Sequence, residues 1–112
     1  MFLLVLGGAS LAHAEDAPTG GTTSADVLTW AIESQDAYFQ TSIGMAGVVA
    51  SQNEGPTARC VDDWYFKDRA TRQRRNDFIR ETMRRFPDYH PAGVILAVLE
   101  KQCGSFTFDG AP

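Results

Sequence analysis

Apolar residues recur along this chain at helical spacing in three stretches, with glycine and proline marking the breaks between them. In the first, Val27, Leu28, Ala31 and Ile32, then Tyr38, Phe39, Ile43, Ala46 and Val49, follow at steps of three and four. That spacing lines one face of an α-helix, and Thr23 or Ser24 can cap its start. A helix over residues 24–51 is predicted, bent or split near 41–44. Gly44 and Gly47 soften that half, each costing ~1 kcal/mol relative to Ala in a helix interior, and they let a neighbouring helix approach closely.

SQNEGPTAR, residues 51–59, joins polar residues to a Gly-Pro pair and reads as an exposed connection. Past Cys60, the run Trp64, Tyr65 and Phe66 is too apolar to stand in water and is expected to begin a helix or turn. On the next helical wheel Phe78, Ile79, Thr82, Met83 and Phe86 share one face. Arg74, Asp77, Arg80, Glu81, Arg84 and Arg85 share the other, with Glu81–Arg85 and Asp77–Arg80 as pairs along a solvated surface. Pro87 stops this helix. Pro91 suits the first turn of another, in which Val94, Ile95, Val98 and Leu99 form the buried stripe. Gly104 ends it after Cys103. In the tail Phe106 and Phe108 alternate with polar residues, which fits a segment lying across the core or a short strand. The whole predicts an all-α domain, a small bundle of three to four helices.

The first residues change the compartment in which this domain is read. Residues 2–12 are an apolar run broken only by Gly7, Gly8 and Ser10, followed by Ala12-His13-Ala14 and then Glu15 and Asp16. This is the form of a secretory signal peptide, residues 1–14, cleaved after Ala14. It is too short to cross a bilayer, which needs ~20 apolar residues. Residues 15–23 are a flexible leader, and residues 24–112 are the domain. Two cysteines remain, Cys60 and Cys103. An even count in an exported chain predicts a disulfide, the alternative being two buried thiols.

Charge is unevenly spread. Residues 15–63 carry eight acids against Arg59 alone, and residues 64–112 carry nine bases against six acids. Eight of the ten Lys and Arg residues fall within 67–85. Nucleic acid would require a cytoplasmic protein, which the leader opposes. The interleaved acids and the apolar stripe also oppose a membrane-surface helix. A solvated face of a core helix, or a dock for an acidic protein, is the expectation.

Little here points to catalysis. His90 is the only histidine after Ala14, and no GxSxG elbow or CxxC is present. Asp88 and His90, flanking Tyr89, fall short of a metal site; the plainer reading is a connection in which Asp88 caps the next helix and His90 is exposed. Asp62-Asp63 suits a helix start better than a catalytic pair. The chain is therefore expected to be no enzyme, with neither cofactor nor metal.

The order from Cys60 through an amphipathic helix ending in Phe86-Pro87, then His90-Pro91-Ala92, an apolar helix and Cys103, resembles the C-terminal half of the type VI secretion amidase-immunity (Tai) family. The stretch from Tyr38 to Gly47 is similar to that family's tyrosine–glycine helix, and the second cysteine pair of its larger branch is not present here. The resemblance implies a small periplasmic all-α protein, often dimeric, that blocks a cell-wall amidase toxin. It also implies Cys60–Cys103 as the staple and the Pro87/Pro91 connection as architecture. Partner-binding candidates are Asn53, Glu54 and Arg59 in the first exposed connection, Asp88, Tyr89 and His90 in the second, and Arg80 and Arg84 on the charged helix face. The competing expectation is an acid- or stress-responsive periplasmic chaperone, in which protonation of the acidic half loosens a dimer. A small enzyme or ligand carrier built on His90 is the third.

Overall fold

Thr23 opens the first helix among the described residues with a reciprocal cap. Its Oγ1 accepts from the Asp26 amide at 3.1 Å, and the Asp26 carboxylate accepts from the Thr23 amide at 2.9 Å. The computed structural model describes residues 21–53 and 55–106, so the predicted signal peptide, most of the leader, Glu54 and Phe108 lie outside the described residues. Within them the chain is all-helical: α1 Ser24–Val27, α2 Ile32–Ser51, α3 Gly55–Tyr65, α4 Arg69–Arg85 and α5 Pro91–Cys103. Four of these are long helices, and α1 is a single turn. No strand occurs among the described residues, and no helix there is long and apolar enough to cross a membrane.

The first predicted helix does divide, but at residues 28–31 and not at 41–44. Side-chain hydrogen bonds compete with the helix there. Thr29 Oγ1 donates to the Asp26 carbonyl at 2.6 Å, and buried Gln35 Nε2 donates to the carbonyls of Leu28 and Trp30 at 3.3 and 2.9 Å. Beyond the break α2 runs unbroken through both glycines, which lie where α3 crosses. A methyl group on Gly44 would meet Phe66 at 3.8 Å, and one on Gly47 would meet Val61 at 3.9 Å. Ile32 and Val49, expected in the buried stripe, are exposed.

The connection predicted over 51–59 is mostly helix. α3 begins at Gly55, with Pro56 in its first turn, where a missing amide costs nothing. Thr57, Val61 and Tyr65, four residues apart, are its buried stripe. Cys60 therefore sits inside a helix and not before one, and the Trp64–Phe66 run ends that helix instead of beginning it.

α4 starts at Asp68, whose side chain accepts from the Thr71 amide at 2.7 Å. That bond holds the Asp68 carboxyl below the usual carboxylate range. α4 ends at Arg85, just before Phe86-Pro87. Pro91 opens α5, and Gly104 closes it at φ 94°, donating to the Glu100 carbonyl at 2.8 Å. That conformation suits glycine and few other residues.

Val27, Phe39, Ile43, Val61, Tyr65, Ile79, Met83, Val94, Ile95 and Leu99 form one core, with Phe106 packed at its edge. A polar link runs through it: Tyr65 Oη donates to Asn76 Oδ1 at 2.7 Å, both residues buried. Burial pushes the Tyr65 phenol up to about 12. The folded state therefore prefers the neutral ring. This contribution is complete below the unfolded value of ~10 and is lost as pH rises towards 12. Tyr65→Phe should cost about 1–2 kcal/mol at pH 7, because it leaves a buried acceptor unpaired, and should flatten the alkaline loss. Urea unfolding at pH 7 and pH 11 checks both effects.

Candidate functional site

Part of the basic segment is committed to the fold. Arg75 Nε donates to the Trp64 carbonyl at 2.9 Å, closing the end of α3, and its guanidinium lies 4.8 Å over the Trp64 ring. Arg74 donates to Thr71 Oγ1 at 3.1 Å. Arg80, assigned from the wheel to the solvated face and to partner binding, is buried. Its Nη1 meets Asp36 on α2 at 2.7 Å and its Nη2 meets Asp77 at 2.6 Å. Burial alone would lower the Arg80 pKa; the two carboxylates more than reverse this, and the net shift is upward. The Asp77–Arg80 pairing is as expected, whereas Glu81 pairs with Arg84 at 2.9 Å and not with Arg85.

The remaining candidates fall on two separate connections. Asn53 is exposed at the end of α2, where its amide donates to the Val49 carbonyl at 3.0 Å, and Arg59 is exposed on α3. Asp88, Tyr89 and His90 are all exposed in the α4–α5 connection. His90, not Asp88, caps α5: its Nδ1 accepts from the Ala92 amide at 3.0 Å. The neutral ring then carries its proton on Nε2 and turns a donor outward. The Cys60–Cys103 bond is formed, joining α3 to the end of α5 across a Cα–Cα distance of 5.6 Å.

This second connection is held from beneath. The Ser24 amide and hydroxyl both donate to the Tyr89 carbonyl, at 2.8 and 3.0 Å, and the Ala25 amide donates to the Pro87 carbonyl at 2.9 Å. The first turn of α1 thereby fixes the loop's backbone while its side chains face water. Phe86 and Tyr89 stack edge to face, with ring centroids 5.4 Å apart.

Next to it lies a groove that the helical wheel does not reveal. Phe78 and Thr82 on α4 and Phe86 just past its end stand four residues apart, and Gly93, Ala97 and Lys101 stand four apart on α5. Together with Tyr89, Val94, Val98, Arg85 and Gln102 they line one trough between the antiparallel helices, its two lobes sharing Thr82, Phe86 and Ala97. Phe78 and Phe86, expected inside, are 43 % and 44 % exposed, and Tyr89 is 62 % exposed. The core takes Asn76, Ile79 and Met83, the adjacent stripe of α4. The signal available in the sequence was the facing stripe Gly93-Ala97, too small to cover aromatic rings opposite. Among the described residues no cluster of His, Cys, Asp and Glu is arranged to hold a metal ion. Comparison of the chain with protein-family models, with curated proteins and with solved structures returns no match.

Proposed function

We propose that this chain is an exported, disulfide-closed helical domain that works by binding another protein through its α4–α5 connection. The carrying observation is the concentration of exposed aromatic surface there: Phe86 and Tyr89 packed together on a braced turn, with Phe78 two helical turns back along α4 on the same groove. Contiguous exposed apolar surface marks interaction sites, and aromatic side chains dominate binding hot spots. Bracing by α1 limits the ordering entropy that association costs. Export is supported by the Cys60–Cys103 bond, which persists in oxidising compartments, and by the signal-like sequence of residues 1–14.

The specific role proposed is immunity: obstruction of a peptidoglycan amidase by this connection. It rests on the resemblance carried by Phe86-Pro87 and His90-Pro91-Ala92 between paired cysteines. The test is direct. A Cys–His hydrolase encoded beside this chain should lose its peptidoglycan-cleaving activity when the purified chain is added in slight excess. Tyr89→Ala should weaken that inhibition at least tenfold, as loss of a central aromatic does. Full hydrolase activity in a large excess of the chain would sink the immunity role. The acid-responsive chaperone is the second reading, and the Arg80–Asp36 contact favours it, because α2 is joined to α4 there through opposite charges. It requires a dimer at neutral pH that dissociates near pH 2–3 and exposes dye-binding surface.

A further inference from the structure

Resting on the protein-binding reading, we infer that the α4–α5 groove takes an apolar segment of the partner that also carries a carboxylate. Three features define the occupant. The floor is small: Gly93 and Ala97 leave room between Phe78, Phe86 and Val94 for an inserted side chain, and a methyl group on Gly93 would meet nothing within 4 Å. The walls are apolar, apart from the Thr82 hydroxyl, which is turned to the Phe78 carbonyl at 2.9 Å. The rim is cationic. Arg85 on α4 and Lys101 on α5 line the same lobe, no acid lines either lobe, and neither cation is in a salt bridge among the described residues.

The other bases of α4 that meet a counter-charge do so away from the groove, Arg80 with Asp36 and Asp77, and Arg84 with Glu81. At the groove itself, Arg85 and Lys101 are the charges left to choose a ligand. An apolar trough between two helices accepts the apolar face of a third segment, and the two cations select one bearing Asp or Glu beside its anchors. A second copy of this chain meets that demand poorly: face to face, the two grooves would bring four cations together with no acid in either lining.

Peptide display against the full-length oxidised chain tests this. Selected peptides should combine Leu, Phe or Met anchors with an adjacent Asp or Glu. Ala97→Trp and Gly93→Leu, which fill the trough from exposed positions, should each weaken them at least tenfold, with circular dichroism and melting temperature confirming the fold. Arg85→Glu with Lys101→Glu should redirect selection towards Lys- and Arg-bearing peptides. The inference is overturned if no peptide is enriched, if enriched peptides bind Ala97→Trp unchanged, or if the charge reversal leaves the selected charge unaltered. It is also overturned by a concentration-dependent dimer that Ala97→Trp abolishes, since the occupant would then be a second copy. Peptides that bind elsewhere would leave the protein-binding reading standing, because hydrolase inhibition and its Tyr89 dependence are measured separately.

Discussion

Replacing both Cys60 and Cys103 by Ser is expected to remove about 4 kcal/mol of stability, by the chain-entropy estimate for the 43-residue separation that the bond closes. Small domains hold roughly 5–15 kcal/mol in total, so the variant should be partly unfolded at 37 °C. The position of the bond matters as much as the loop length. Cys60 lies within α3 and Cys103 ends α5, so the bond ties the first of the three C-terminal helices to the last. α4 and the partner-facing connection are enclosed by it. Equilibrium urea unfolding of the double variant, and of the native chain with and without reductant, measures the effect. A change below 1 kcal/mol in both comparisons would show that packing of α3 against α5 suffices without the bond. Because the connection and groove lie inside the closed loop, partner affinity should fall with stability.

The second large effect is expected at Arg80, where Arg80→Ala should cost about 3 kcal/mol. Its side chain is 11 % exposed, against 31 % for Asp36 and 75 % for Asp77. Removing one member of a fully buried pair costs ~3–5 kcal/mol. Here water can reach the carboxylates left behind, which lowers the figure, while loss of the guanidinium that lies over the Phe39 ring raises it. The two acids should rank unequally. Asp36→Asn should cost more than Asp77→Asn, because Asp36 alone ties α2 to α4, whereas Asp77 is exposed on the same helix as Arg80 and worth ~0.5 kcal/mol. Arg80→Lys should recover only part of the loss, since one ammonium cannot reproduce a planar fork that gives separate nitrogens to two acids. A double-mutant cycle on Asp36 and Arg80 isolates the interhelix contact. Arg80→Ala no more destabilising than Arg84→Ala would refute the structural role assigned to it.

How much of this could be read from residues alone differed by element. α5 was legible in all but its cap, which is His90 and not Asp88: Pro91 at its first turn, Val94, Ile95, Val98 and Leu99 within, and Gly104 after its end. Each signal is local, so nothing distant had to be known. α3 was missed in its first half, because SQNEGPTAR carries turn chemistry, and only the i, i+4, i+8 set Thr57, Val61 and Tyr65 marks the helix that begins at Gly55. Two polar members of the buried set, Thr57 and the Tyr65 hydroxyl, dilute that signal. The candidate site was half legible. Asp88, Tyr89 and His90 stand exposed together as expected, while the groove beside them depended on which of two adjacent α4 stripes faced the core.

What the residues determined unaided was therefore the all-α class, the end of α4 before Pro87, the bounds of α5 set by Pro91 and Gly104, and the pairing of Cys60 with Cys103. Capping, backbone restriction and a two-cysteine count act over a few residues or admit one solution. What only the tertiary structure decided was burial within one helical step. On α4, Ile79 and Met83 turn inward, Phe78 and Phe86 remain at the surface, and Arg80 is drawn in to meet Asp36, forty-four residues away. Successive residues differ by 100° around a helix, so periodicity locates an apolar face only to within about one position. The neighbouring helices choose the rest: Gly93 and Ala97 are too small to cover the aromatic rings opposite them, and an acid on α2 is placed where an arginine can reach it.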